Sequence, residues 1–263
     1  MVVCGDSMEL NRDYESAAIY KWRKKRKKAF VLFICIVGIC FLVTRMVRVE
    51  DKTTVKVHNM HTEQNEKAIR YVASNMINED PKIAITFDDG PSPAWTPQLL
   101  DGLKERNVKA TFFLIGENAK NNPELVKREA EEGHLIGNHT YHHVEITRVP
   151  DETAQEEILM TNEVITGITG EEVSYMRPPF GVWQKNLERK LDVMPVLWTI
   201  DPLDWTTDNE DEIINKVVTQ AGENDIILLH DCYESSVNAA LRIVDILQKE
   251  GFGFVTVDEL IMN

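Results

Sequence analysis

Two histidines four residues apart, His139 and His143, and two adjacent carboxylates, Asp88 and Asp89, have the side chains and spacing of a metal site. On a helical turn, residues four apart share one face, which is the spacing of zinc-binding histidine pairs. Adjacent side chains that leave a strand point in different directions, so one carboxylate could bind a metal while the other faces a substrate. Two imidazoles and one carboxylate leave positions open for water and substrate, as catalytic zinc requires. An incidental histidine-rich turn and an acidic turn before a helix are the simpler alternatives.

Arg177 begins a rigid loop, RPPFG at 177–181, in which two prolines restrict the backbone. An arginine beside Asp88 would keep that carboxylate charged and would orient it. The alternative is a purely structural ion pair. His142 lies between the two candidate ligands and points elsewhere on a helical turn, so we interpret it as a surface residue or as one that lies behind the ligands.

Two acids and a histidine follow later apolar segments. Asp201 and Asp204 lie in DPLDW at 201–205, and either carboxylate could hydrogen-bond a histidine and raise its pKa. Trp205 in the same segment could form the wall of an apolar pocket. His230 ends an apolar run, and imidazolium titrates near working pH, which suits a general acid. A lone histidine after an apolar strand is more often structural.

The elements that must position these residues alternate along the chain from residue 82 onwards. The predicted strands lie at 82–87, 110–115, 135–136, 173–176, 193–200, 225–230 and 253–257, and the predicted helices at 97–106, 124–132, 152–169, 210–220 and 237–250. Such alternation is typical of parallel βαβ units. About seven units in about 180 residues are too few for a standard barrel of ~250 residues, so we predict a reduced or distorted (β/α)7–8 barrel. Active sites of such folds lie at the carboxyl ends of the strands, where the candidate residues fall.

Charge divides the chain into two unlike parts. Residues 1–56 contain 12 Lys/Arg and 6 Asp/Glu, and the remaining residues contain 17 and 37, which gives net charges of +6 and −20. A domain this acidic repels phosphate backbones, so we expect no nucleic-acid partner.

The amino-terminal segment is predicted to anchor the protein in a membrane. Seven of residues 21–28 are basic, and an apolar run follows at 29–43 and continues to 47 past Arg45. The run is shorter than the usual ~20 residues, but Arg45 and Arg48 could snorkel to the far interface. The basic cluster places the amino terminus in the cytoplasm and the rest of the chain outside the cell. A cleaved signal peptide is the alternative, and the long polar segment before the apolar run argues against it.

These features predict four segments: a cytoplasmic basic segment at 1–28, a single transmembrane helix at 29–47, a juxtamembrane stalk at 48–80 and one catalytic domain at 81–263. The four cysteines do not suggest a disulfide framework, because Cys35 and Cys40 lie in the apolar run, Cys4 lies near the amino terminus and only Cys232 belongs to the main domain.

Five motifs occur in a fixed order: TFDDG at 86–90, HTYHH at 139–143, RPPFG at 177–181, DPLDW at 201–205 and LLHD at 228–231. Each is weak alone, but the ordered set resembles the five motifs of the polysaccharide deacetylases, carbohydrate esterase family 4, which share the NodB-like domain. The resemblance covers about residues 81–260 and extends to membrane-anchored peptidoglycan N-acetylglucosamine deacetylases. All five motifs are intact, which argues against an inactive relative.

The resemblance implies roles for the first two motifs. Asp88 would be the general base that activates a water molecule. Asp89, His139 and His143 would bind a divalent metal, usually zinc and sometimes cobalt or nickel, which would polarise the acetyl carbonyl.

The resemblance also implies roles for the other three motifs. The Phe180 backbone amide would help to hold the oxyanion, and Arg177 would tune Asp88. His230 would protonate the leaving amine with Asp204 as its partner, and Asp201 is a second candidate for that partnership. The slot for the acetate methyl group would be lined by Trp205 and Leu228.

The function implied is hydrolysis of N-acetyl groups from an N-acetylhexosamine polysaccharide. An outward-facing anchored domain makes peptidoglycan N-acetylglucosamine the expected substrate, with N-acetylmuramate, chitooligosaccharides and O-acetyl xylan as alternatives. A non-catalytic glycan-binding module would be expected to lack Asp88 or His230, and both are present. A phosphoesterase would use two metals with more carboxylate ligands.

Overall fold

The computed structural model describes residues 80–184, 187 and 191–262. The predicted cytoplasmic segment, the anchor at 29–47 and the stalk up to residue 79 lie outside the described residues, so that division of the chain stays a prediction. Within the described part of the chain, no helix has the length and apolar character needed to cross a bilayer. One compact unit comprises Asp80–Asn263.

Seven strands lie in the described part of this unit, and the longest of them are buried apolar runs. The strands are β1 (Lys82–Asp88), β2 (Thr111–Leu114), β3 (Leu135–Asn138), β4 (Tyr175–Met176), β5 (Met194–Pro195), β6 (Ile226–His230) and β7 (Gly253–Phe254). Six of the seven residues of β1 are buried, which is typical of a parallel strand covered on both faces.

Seven α-helices are found among the described residues, and they cover the sheet. They are α1 (Thr96–Glu105), α2 (Gly116–Asn121), α3 (Pro123–Glu131), α4 (Asp151–Thr169), α5 (Glu210–Val218), α6 (Glu234–Lys249) and α7 (Val257–Met262), and short 3-10 turns lie at Pro179–Gly181 and Asp204–Thr206. Local signals explain several boundaries. Pro123 opens α3, Asn209 caps α5 by accepting from the Glu212 amide, and Gly170 ends α4 in a left-handed conformation.

The strands form one parallel sheet in the order β5-β4-β3-β2-β1-β6, with β7 on the amino-terminal half of β1. The sheet is a curled half-barrel with helices outside, which is consistent with the predicted reduced or distorted (β/α) barrel. The segment that follows β5 bonds first to β4 and then to β6, near opposite ends of the sheet. The Val196 amide donates to Met176 on β4, and the Leu228 amide on β6 donates to the Ile200 carbonyl at 2.9 Å.

Alternate residues of β1 point to opposite sides of the sheet, as strand geometry dictates. Ile83, Ile85 and Phe87 pack into the main core with the outer helices. Ala84 packs with a smaller inner cluster. Asp88 is in step with Ala84 and therefore points to the inside of the half-barrel, where the apolar lining ends.

Helices α2 and α7 were not predicted, and the predicted strand at 193–200 is much shorter in the structure. Helix α2 has only two buried residues, Gly116 and Ala119, so its sequence lacks an apolar period. The last predicted strand was extended to residue 257, which is instead the first residue of helix α7. The run at 193–200 forms only the short strand β5, because Pro195 has no N–H to donate and the following residues change partner from β4 to β6.

Glu129 on α3 is a carboxyl group inside the core, and it leads to a testable prediction. The residue is 0% exposed, and neither carboxyl oxygen has a hydrogen-bond partner among the described residues. Burial, with a smaller contribution from the charge of Asp231, raises the pKa of Glu129 well above its usual value. Its contribution to stability is therefore complete below the unfolded-state pKa of about 4.3 and is lost as the pH rises through the folded-state pKa.

We expect Glu129→Gln to raise the free energy of unfolding at pH 8 by about 1–3 kcal/mol, because the neutral amide removes the cost of a buried charge. At pH 4 the wild-type and variant proteins should be equally stable. Denaturant unfolding at the two pH values measures the difference. Glu131→Gln, an exposed substitution on the same helix, is the control, and an equal response of the two variants would contradict the prediction.

Candidate active site and metal centre

The sheet brings the predicted site residues together at the carboxyl ends of its strands. Asp88 ends β1 and His230 ends β6, and the two residues are register partners on neighbouring strands. His139 directly follows β3, and Arg177 directly follows β4. Residues that are distant in sequence therefore share one rim, as parallel β/α geometry leads one to expect.

Asp89, His139 and His143 form the one cluster of metal-ligand type found among the described residues, with ligand atoms within 4.8 Å of one another. The Asp89 Oδ1 atom lies 3.4 Å from Nε2 of His139 and 3.4 Å from Nε2 of His143. This oxygen is buried and has no hydrogen-bond partner within the described chain. The His139 Nδ1–H donates to the Arg177 carbonyl at 2.6 Å. Nε2, on the side of the ring that faces Asp89, therefore carries the lone pair that could bind a metal. The three side chains therefore fit a divalent metal.

The histidines do not lie on a helical turn, and that prediction was wrong. Residues 139–143 form an irregular loop in which Thr140 and His143 have φ of 62° and 56°. The physical reason is that the amides of Tyr141 and His142 donate to the Glu157 carboxylate rather than to carbonyls one turn earlier. The two imidazoles nevertheless converge, with ring centroids 5.0 Å apart.

Electrostatics also favour a charged ligand at Asp89. Burial alone would disfavour the carboxylate, but the close contact with His139 and its charge, together with the charges of His230 and His143, hold the pKa of Asp89 well below its usual value. Asp89 has a left-handed φ of 73°. Such conformations in residues other than glycine are concentrated at functional sites.

Arg177 holds Asp88 in place inside the half-barrel. The guanidinium is 0% exposed and lies over the Phe113 ring at 4.3 Å. Its Nη1 donates to Asp88 Oδ1 at 2.8 Å and to Thr86 Oγ1 at 2.7 Å. The other carboxylate oxygen, Oδ2, lies 3.8 Å from His139 Nε2. One oxygen of Asp88 is therefore committed to the arginine, and the other faces His139, one of the candidate metal ligands.

Asp204, and not Asp201, is the partner of His230 in the structure. The Asp204 carboxylate accepts the His230 backbone amide through one oxygen and the ring Nδ1–H through the other, both at 2.8 Å. Burial lowers the pKa of His230, but the charge and hydrogen bond of Asp204, with the charges of Asp89 and Asp88, raise it to about 10. His230 is therefore an imidazolium at neutral pH, with Nδ1 occupied and Nε2 as the remaining donor.

Asp201 has a different place. Its Oδ1 accepts the Leu203 amide at 2.8 Å and thereby shapes the turn that leads to Asp204. Burial, followed by the charge of Asp204, raises the pKa of Asp201. Trp205 is half-buried in the 3-10 turn, and Leu228 is a buried residue of β6 that pairs with Thr86.

Phe180 is 59% exposed and lies beside His143, one of the candidate metal ligands. Its ring stands edge-on to the His143 ring at 5.0 Å between centroids, and its φ is 60°. Cys232 is a free thiol whose pKa is raised by burial and then by the charges of Asp89 and Asp231. A raised pKa keeps this thiol protonated and unreactive.

Several side chains that contact the site were not predicted from the sequence, and Thr86 and Glu157 are the two with the most direct polar contacts. Thr86 bonds Arg177, and Glu157 bonds the histidine loop. Thr86 carries no signal beyond its place in the first motif. Glu157 does carry one, because it shares the buried face of α4 with apolar and small residues: Ala154, Ile158, Thr161 and Ile165. A charged residue within the buried stripe of a helix indicates a specific partner.

Known proteins resemble this chain in both sequence and structure. The family described as polysaccharide deacetylase matches residues 75–196. Peptidoglycan-N-acetylglucosamine deacetylase PgdA of Listeria monocytogenes is 37% identical over 216 residues, which are 80% of this chain and 46% of that protein. A peptidoglycan-N-acetylglucosamine deacetylase of Bacillus cereus is 39% identical over 199 residues, which are 73% of this chain and 93% of that protein. The structure of peptidoglycan deacetylase PdaC from Bacillus subtilis matches with a TM-score of 0.69 and 38% identity, over 70% of this chain and 91% of that chain.

These similarities confirm the resemblance expected from the five motifs. The chain spans less than half the length of the Listeria relative but nearly all of the Bacillus cereus relative. The curled parallel sheet is consistent with the (β/α)7 barrel of carbohydrate esterase family 4. The chain therefore belongs to the polysaccharide deacetylase family, whose members are hydrolases that act on amide bonds.

Proposed function

We propose that this domain removes the acetyl group from N-acetylglucosamine residues of peptidoglycan. One observation carries the proposal. The Asp88 carboxylate held by Arg177 and the His230 imidazolium held by Asp204 end neighbouring strands, beside the three candidate metal ligands. Amide hydrolysis requires a group that takes a proton from water and a group that gives one to the leaving amine. The Asp88–Arg177 pair supplies a carboxylate that can take a proton, and the His230–Asp204 pair supplies an imidazolium that can give one.

Asp89, His139 and His143 are assigned to the metal, which we propose is Zn²⁺, with Co²⁺ and Ni²⁺ as alternatives. Two imidazole nitrogens and one carboxylate form a ligand set that suits zinc and leaves positions open. When bound, the metal would act as a Lewis acid toward the acetyl carbonyl and the attacking water.

The protein side chains then carry the protons. Asp88 Oδ2 takes a proton from the attacking water, and Arg177 keeps the carboxylate in place through Oδ1. His230 Nε2 gives its proton to the amide nitrogen as the carbon–nitrogen bond breaks, and Asp204 stabilises the imidazolium before transfer. The products are acetate and a free amine on the sugar.

The remaining site residues are assigned to binding. The Phe180 backbone amide holds the oxyanion of the tetrahedral intermediate. Trp205 and Leu228 line the slot for the acetyl methyl group. Asp201 keeps the turn before Asp204 in shape, which supports the His230 partnership indirectly.

The choice of substrate rests on the relatives and on the proposed anchor. The Listeria and Bacillus cereus relatives are named for peptidoglycan N-acetylglucosamine. A transmembrane helix at 29–47 with a cytoplasmic amino terminus would place the domain outside the cell, beside the wall. Chitooligosaccharides, N-acetylmuramate and O-acetyl xylan are the alternative substrates, and a non-catalytic glycan-binding module is the alternative function.

Acetate release tests the proposal. The full-length protein, purified in detergent and loaded with Zn²⁺ or Co²⁺, should release acetate from N-acetylglucosamine oligomers and from peptidoglycan. A chelator should abolish the release, and added metal should restore it. Absence of acetate from both substrates with either metal would overturn the proposed activity. Release from muramate-containing or xylan substrates alone would leave the chemistry in place and change the substrate.

A further inference from the structure

The loop between the two histidine ligands has a strained backbone. Thr140 and His143 both have left-handed φ angles, and each such residue other than glycine costs roughly 1–2 kcal/mol. Neither residue is glycine, for which this conformation carries no steric cost. Contacts from outside the loop must therefore hold it in the shape that brings the two imidazoles together.

Glu157 on α4 supplies the first of these contacts. Its Oε2 accepts the backbone amides of Tyr141 at 3.0 Å and His142 at 2.8 Å. Its Oε1 lies 2.7 Å from Nδ1 of His142. The Glu157 side chain is only 10% exposed. The carboxylate thus directs all of its observed bonds at Tyr141 and His142, two of the three residues between the ligands.

The amino terminus of α2 holds the loop from the other side. The Gly116 amide donates to the Thr140 carbonyl at 2.9 Å, and the Glu117 amide donates to the Tyr141 carbonyl at 3.0 Å. A Cβ atom at residue 116 would lie 2.6 Å from the Tyr141 ring and 3.1 Å from its Cα, so glycine is what permits this approach. Donors from α2 and acceptors from Glu157 therefore clamp the same peptide units between them.

We propose that Glu157 is a positioning residue that preorganises the two histidine ligands, and that His142 holds the Glu157 carboxylate in place through its ring. The inference rests on the proposed metal site, and it assigns a role to a histidine that the proposed reaction does not use. Without the carboxylate, the Tyr141 and His142 amides lose their acceptor and the loop relaxes from its strained shape. Binding a metal would then require the loop to be ordered again, which lowers the affinity.

Metal affinity of the full-length protein tests this role. Glu157→Leu replaces the carboxylate acceptor with an apolar side chain of similar size. We expect it to weaken Co²⁺ binding about 10–100-fold, as the loss of groups that orient metal ligands typically does. Glu157→Gln keeps one carbonyl oxygen for the two amides and should recover most of the affinity. Glu156→Leu, on the exposed face of the same helix, should bind Co²⁺ like the wild type. Saturating metal should restore activity to Glu157→Leu.

The outcomes separate this inference from the proposed function. If the wild-type protein binds no divalent metal, the proposed function fails. If the wild type binds metal and Glu157→Leu binds it equally well, only the positioning role fails. Should Glu157→Leu not fold, hydrogen exchange of the metal-free wild type decides. Protected amides at Tyr141 and His142 support the clamp, and exchange at the rate of an unstructured chain overturns it.

Discussion

Asp88→Asn is expected to lower kcat by about 10²–10⁴-fold, the range that a positioned general base contributes. Co²⁺ affinity should stay within a few-fold of the wild-type value, because Asp89, His139 and His143 are unchanged. The amide cannot take a proton from water, yet it preserves the size of the side chain. Acetate release at saturating substrate measures the first effect, and metal titration of the same preparation measures the second. Together, the two measurements show whether Asp88 acts as a base or as a metal ligand. The sequence alone does not distinguish these roles, because Asp88 and Asp89 are adjacent.

The same substitution has a cost in stability that the experiment must allow for. Arg177 is fully buried, and removal of its countercharge leaves an unpaired charge in the core, which costs about 3–5 kcal/mol. Activity should therefore be measured well below the melting temperature of the variant. Asp101→Asn is a matched control, because Asp101 also pairs with an arginine but lies at the surface. Wild-type turnover in Asp88→Asn, or loss of its metal, would contradict the assignment.

His230→Asn is expected to lower kcat by about 10²–10⁴-fold, because the leaving amine loses its proton donor. The wild-type rate should also fall as the pH rises through the pKa of His230, since only the protonated ring can act as the acid. The surrounding carboxylates raise that pKa to about 10. A divalent cation beside Asp89 offsets part of this effect, so the alkaline limb of the metal-loaded enzyme should lie below pH 10.

Asp204→Asn should move that alkaline limb toward neutral pH by about one unit or more, because the charge of Asp204 is the largest contribution that raises the pKa of His230. The pH dependence of kcat/KM for the two proteins measures the displacement. Asp208→Asn removes an exposed acid from the same segment and should leave the limb where it is. An unmoved limb in Asp204→Asn would mean that another group supplies the proton.

Much of the site could be predicted from residue types and order. Asp88, His139, Arg177 and His230 follow apolar strands, and parallel strands place their carboxyl ends on one rim. The predicted strands at 82–87 and 225–230 and the predicted helices at 152–169 and 237–250 agree with the structure to within a few residues. Local patterns suffice here because burial on both faces of a parallel sheet leaves a continuous apolar run. The anchor at 29–47 stays a prediction.

Which side chains hydrogen-bond to His230 and to the loop at 139–143 is visible only in the tertiary structure. Residue types and spacing left either Asp201 or Asp204 open as the partner of His230, and the resemblance favoured Asp204. The turn at Leu203 brings the Asp204 carboxylate to both the ring and the backbone of the histidine. The spacing of His139 and His143 suggested a helix, whereas Glu157 from a distant helix draws the intervening amides into a loop. Motifs thus determined which chemical groups the protein has. Which groups touch depends on hydrogen bonds between residues far apart in the chain, and no local pattern encodes those.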